Sequence, residues 1–93
     1  MRTKYAGMQA VIDANKAAGK HFFDKDTMEF WGSKIESELF PNNCFVTSED
    51  NFDRSKRLYT IRIFDRATGA IEEASEFQAY STKEEAVAVA KLL

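Results

Sequence analysis

RLYTIRIFD, residues 57–65, followed by RATG, residues 66–69, and then IEEASEFQAY, residues 71–80, decides the fold class. The first run has the β-branched and aromatic content of a strand. The four residues Arg66–Gly69 have the composition of a hairpin loop. The run from Ile71 to Tyr80 returns as a second strand. With Asp65 and Ala70 flanking the loop, Phe64 faces Ile71, Arg62 faces Glu73, Thr60 faces Ser75 and Leu58 faces Phe77. These are apolar, ionic and hydroxyl pairs of the kind that stabilise antiparallel ladders. Tyr59, Ile61 and Ile63 take the other face, against Glu76, Ala74 and Glu72. A slip of one residue reverses the partition.

Working back from the hairpin, Cys44–Ser48 is short and rich in strand formers, and residues 49–56, EDNFDRSK, read as a polar loop. Pro41, the only proline, closes a helical half. Met28, Trp31, Ile35 and Leu39 keep helical spacing and predict a helix over 27–40, with Asp26 as N-cap and Glu29 as its box partner. Phe22 and Phe23 precede that cap and are placed to pack back on its first turn. A mid-helix glycine costs about 1 kcal/mol relative to Ala, so Gly32 marks a close approach or a break. A first helix spans 4–18. Its stripe is Tyr5, Met8, Val11, Ile12 and Ala18, Asn15 interrupts it, and Gly19 stands at C′ with Lys16 and Lys20 near the negative end of the dipole. Beyond the hairpin, Ser81 or Thr82 caps a last helix, with Glu84 or Glu85 as box partner and Ala86, Val87, Val89, Ala90 and Leu93 as its apolar side. The expected fold is one α+β domain over residues 1–93, in the order α-α-β-β-β-α. Its sheet is a three-stranded antiparallel meander with the helices packed on one face.

Ninety-three residues leave room for one domain. The net charge of −2 supports neither a counterion-releasing nucleic-acid binder nor a nucleic-acid mimic. One cysteine, Cys44, excludes an intrachain disulfide and suits a reducing compartment. The N-terminal run has no apolar stretch long enough for a signal peptide, and no segment has the ~20 apolar residues of a membrane span. Cytoplasmic residence is the expectation.

Catalytic motifs are sparse. His21, the only histidine, lies at a helix junction, and pairing it with Cys44 requires a proximity that the sequence does not give. Two nitrogen or sulfur ligands are too few for structural zinc, and Cys44 reads as a buried small hydrophobe. The acids Asp24 and Asp26, then Glu49, Asp50 and Asp53, lack the glycine and terminal glutamate of a calcium loop. The glycines form no phosphate-binding loop. No cofactor, metal or catalytic residue is expected, and the chain is read as not an enzyme.

The residues His21-Phe22-Phe23, Met28–Ile35, Phe45–Glu49, Arg57–Arg62, Thr68-Gly69 and Phe77–Tyr80 carry a resemblance that covers roughly 15–90. In them the chain resembles a family of small proteins of unknown function encoded by phages and prophages. Trp31 is a departure, standing where the family would carry a second Phe. The resemblance implies a phage or mobile-element source, and hence the cytoplasm of a host cell. It carries over no functional residue.

Two main function classes follow. The first is a protein-interaction module that binds and inhibits a host system, as an anti-defence (anti-CRISPR-like) protein would. Its contacts are Leu58, Thr60, Arg62, Phe64 and Phe77, joined by Trp31 if that side chain is exposed, although a core position suits Trp31 better. The second is a nucleic-acid binder using Arg54, Lys56, Arg57 and Arg62 among sheet aromatics such as Tyr59, with Arg66 nearby. Against it, Glu72, Glu73 and Glu76 lie on the adjacent strand. An enzyme built on His21 or Cys44 is a third class without a nameable substrate. A homodimer is left open, since Cys44–Ser48 is a candidate sheet edge.

Overall fold

The computed structural model describes residues 4–50 and 56–93. Three helices and four strands follow in the order α1 (Met8–Ala17), α2 (Lys25–Trp31), β1 (Lys34–Ile35), β2 (Cys44–Asp50), β3 (Arg57–Phe64), β4 (Ile71–Glu73) and α3 (Lys83–Ala90). The strands form one antiparallel sheet in the order β1-β2-β3-β4. The mixed class is as expected, but the sheet has four strands, not three.

The extra strand comes from the segment assigned to the second helix. That helix ends at Trp31. Gly32 takes the left-handed conformation at φ 61°, its N–H donates to Glu29 O, and Ser33 N–H donates to Met28 O. This is the paired closure that ends many helices. The chain then pairs Lys34 with Ser48 and Ile35 with Thr47. Ile35 and Leu39 do reach the core, but from β1 and from the connection after it, because one buried face serves helical and non-helical backbone alike. The cap is Asp24 rather than Asp26, and it makes no side-chain cap bond. β2 runs on through Glu49 and Asp50, which had been read as loop, and β1 and β3 flank it. Cys44–Ser48 is therefore interior, and the short strands β1 and β4 form the edges.

The hairpin keeps its expected start. Asp65 N–H donates to Ala70 O, and Arg62 opposes Glu73 while Phe64 opposes Ile71. The returning strand, however, stops at Glu73 instead of Tyr80. Ala74 and Ser75 N–H both converge on Ile61 O, and Ser75 Oγ accepts from Ile61 N–H. The side chain takes a ladder position and lifts the backbone away. Gln78 adopts φ 57°, and the chain rejoins β3 only where Tyr80 bridges Tyr59. The expected pairs Thr60–Ser75 and Leu58–Phe77 do not form.

Helices cover both faces of the sheet, correcting the one-face expectation. Side chains alternate across a strand. Phe45 and Phe64 lie on one face under Met8 and Val11 of α1, while Cys44, Val46 and Ile61 lie on the other under Ala86 and Ala90 of α3. Leu39 and Phe40 divide between the two cores at the end of the sheet.

α1 starts at Met8, later than residue 4. Its third buried position is Asn15, with Ile12 half-buried and Ala18 exposed. Asn15 Nδ2 donates to Gly69 O at 2.9 Å, and its Oδ1 accepts from Phe22 N–H at 3.2 Å. The polar residue that broke the stripe ties α1 to the hairpin loop and to the start of the α1–α2 connection. Lys20 N–H donates to Asn15 O and Gly19 N–H to Lys16 O, so Gly19 does stand at C′. Thr82 caps α3 by accepting from Glu85 N–H, whereas Leu93 is exposed.

Candidate functional site

α1 covers only part of its face. The rest of that face carries Thr47 and Glu49 from β2 and Thr60 and Arg62 from β3, all buried. Thr47 Oγ1 donates to Glu49 Oε2 at 2.7 Å, and Thr60 Oγ1 donates to Glu49 Oε1 at 2.9 Å. Arg62 Nη2 lies 3.2 Å from Glu49 Oε2, and Arg62 Nε donates to Thr47 Oγ1 at 3.1 Å. Every buried side-chain polar atom among the described residues has a partner, as a buried charge requires.

The network lies beneath the 74–80 segment. Gln78 N–H donates to Thr60 Oγ1, and its side-chain amide donates to the carbonyl oxygens of Glu49 and Asp50. That arrangement holds Phe77 over Arg62, with the ring centroid 5.6 Å from the guanidinium carbon. The Phe22 ring also lies against that guanidinium, 5.2 Å away. Between these rings opens a cleft of about 410 Å³, lined by Phe22, Thr27, Trp31, Ser33, Arg62, Glu73 and Phe77.

The rim of the cleft is aromatic and exposed. Trp31 is 52% exposed, Phe30 75% and Phe77 41%. Trp31 meets Phe30 edge-to-face at 5.1 Å and Phe77 at 6.0 Å. Three large rings from two elements thus form one contiguous solvent-facing apolar surface beside the cleft. Scattered exposed hydrophobes are ordinary, whereas a joined patch is not.

The residues singled out for protein contact separate. Thr60 and Phe64 are buried, Phe64 beneath α1; Leu58 is half-buried; Arg62 forms the cleft floor; Phe77 and Trp31 form the rim. Phe22 and Phe30 were not singled out, and only the aromatic density of 22–31 signalled them.

The cationic set does not converge. Arg57 Nη1 pairs with Asp50 at 2.8 Å, Nε donates to Ser48 Oγ, and Nη2 donates to the Ser48 and Gly32 carbonyls. It is the clasp that holds the end of α2 against β2. Arg62 is committed to Glu49, Lys56 is exposed, Arg66 donates to Asn43, and Arg54 and Asp53 lie outside the described residues. His21 sits at the surface 2.8 Å from Asp24, whereas Cys44 is buried in the core under α3, where burial pushes its thiol pKa up. Among the described residues, no three His, Cys, Asp or Glu side chains gather at metal-binding spacing, and no helix is long and apolar enough to cross a membrane.

The model of the Family of unknown function (DUF7447) matches residues 7–91, and the chain belongs to that family. No curated protein and no solved structure matches it.

Proposed function

We propose that this DUF7447 member acts by binding a protein partner through the aromatic-rimmed cleft. The observation that carries the reading is the joined, exposed surface of Phe30, Trp31 and Phe77 around a floor fixed by Arg62 and Glu49. Trp and Arg recur among the residues that dominate binding energies. A surface held rigid before binding loses less conformational entropy on association. The aromatic surface continues past the cleft to Phe30, which does not line it. That extent suits a protein better than a small molecule. A partner in a host cell, with an anti-defence outcome, is the finer form of the proposal and rests on the sequence resemblance to phage proteins.

Affinity capture from a bacterial host lysate tests this, with the native chain and a Trp31→Ala/Phe77→Ala double variant as parallel baits. A protein retained by the first and lost by the second supports the reading. Equal retention by both moves the contact elsewhere, and no retained protein overturns the reading. The nucleic-acid alternative has less support, because Arg57 and Arg62 already serve intramolecular contacts.

A further inference from the structure

We infer that the group this cleft takes from its partner is a lysine or arginine side chain, an inference that rests on the docking reading above. Among the described residues, two charged side chains line the cleft, Arg62 and Glu73. Arg62 has its counter-ion in buried Glu49, 3.2 Å away. Glu73 is 44% exposed and makes only a long ion pair with Arg62, 3.9 Å from Nη1 and without a hydrogen bond. Two carboxylates against one guanidinium leave the floor one negative charge in excess. Exposed Glu76 directly precedes Phe77 in the chain. On α2, Lys25 makes an equally long pair with Glu29, at 4.0 Å, and Asp26 adds another acid.

The apolar walls suit the same occupant. Phe22 and Phe77 each already lie against a guanidinium, that of Arg62. Among the described residues no cation lies over the half-exposed indole of Trp31, the aromatic ring that attracts cations best. An incoming Lys or Arg lays its aliphatic stem along Trp31 and Phe77 and sets its charged head at Glu73, with the Thr27 and Ser33 hydroxyls as neutral acceptors. An incoming carboxylate would meet Glu73 and the Glu49 beneath, a like-charge arrangement that selects against it.

Trp31 is the only tryptophan, so its fluorescence reads occupancy of the cleft directly. The full chain is titrated with three blocked tripeptides, acetyl-Gly-Arg-Gly-amide, acetyl-Gly-Lys-Gly-amide and acetyl-Gly-Glu-Gly-amide. The expected result is a saturable change in emission at millimolar Arg or Lys peptide and none with the Glu peptide. Glu73→Gln should weaken the basic peptides about threefold, the size of an exposed ion pair, and added salt should act in the same direction. Preference for the Glu peptide, equal response to all three, no saturable response, or indifference to Glu73→Gln each overturns the inference. A captured protein that is lost on Trp31→Ala/Phe77→Ala, with any of those results, leaves the docking reading standing while the charge assignment falls.

Discussion

Glu49 and Arg62 are bound to each other although neither is the other's cross-strand partner: Glu49 opposes Leu58, Arg62 opposes Phe45, and the guanidinium reaches along the face to close the gap at 3.2 Å. Thr47 and Thr60 fill the pair position between them and turn both hydroxyls to the carboxylate. Removing one member of a buried pair leaves an uncompensated charge and typically costs 3–5 kcal/mol. Arg62→Met should therefore lower unfolding free energy by about 3 kcal/mol or more in urea titration. Glu49→Met/Arg62→Met should cost less than the two single changes summed, by about 1–3 kcal/mol. Strict additivity would show that the two groups are not coupled.

Asn15 satisfies one carbonyl and one amide from two other segments. Asn15→Ala strands both and should destabilise by about 2 kcal/mol. Protection of the Phe22 amide against hydrogen exchange should fall with it. An unchanged Phe22 amide would show that the bond is not what protects it.

Gly69 has φ 74°, and a Cβ built there lies 2.8 Å from both the Ala14 carbonyl oxygen and the Ala18 methyl. The obstacle is helix backbone, which cannot rotate aside. Gly69→Ala should cost more than the 1–2 kcal/mol of left-handed strain alone, seen as a lower Tm and a loosened α1. At Gly32, with φ 61°, the nearest atom is the terminal oxygen of Asp50, so relief is available and the loss on Gly32→Ala should be smaller.

Trp31 and Phe77 face solvent, so Trp31→Ala and Phe77→Ala should each shift stability by less than about 1 kcal/mol. Thermal unfolding checks this, and a large loss for either would make the rim structural. With Glu73 at the cleft, caesium ions should quench Trp31 emission more efficiently than iodide does, relative to free tryptophan amide, and Glu73→Gln should narrow the gap.

Burial raises the Cys44 thiol pKa in the folded chain. The unfolded chain therefore loses its thiol proton first as pH rises. Stability from this group is complete below the ordinary thiol pKa and declines above it until the folded value is passed. Native Cys44 should resist iodoacetamide at neutral pH and react once urea unfolds the chain. Equal rates in both states would contradict its burial.

The hairpin start, the Asp65–Ala70 closure, a cap at Ser81 or Thr82 and the two pairs nearest the loop were legible because each depends on local chain chemistry. Asn15 was visible only as a defect in a stripe, since its partners lie 54 residues ahead and 7 ahead in the chain. Arg57 read as a surface cation and proved to be a clasp, because Asp50 and Gly32 come within its reach only after β2 and β3 pair. The cleft was legible in part: Arg62 and Phe77 were named, Trp31 only on the condition that it is exposed, while Phe22, Thr27, Ser33 and Glu73 reach it from segments with no sequence signal in common.

By itself the sequence determined a mixed helix–strand chain, its hairpin, and which residues were apolar enough to need burial. Helical spacing at Met28, Trp31, Ile35 and Leu39 could not say whether that burial came from one long helix or from a helix broken at Gly32. Tertiary structure decided it: β2 offered an unpaired edge, and hydrogen bonding Lys34–Ile35 to it, with Arg57 fastening the Gly32 carbonyl, stabilises the break. That choice ended α2 at Trp31 and carried the chain on to the sheet, because a propensity is a local quantity while an unpaired backbone edge is satisfied only by what the rest of the chain brings to it.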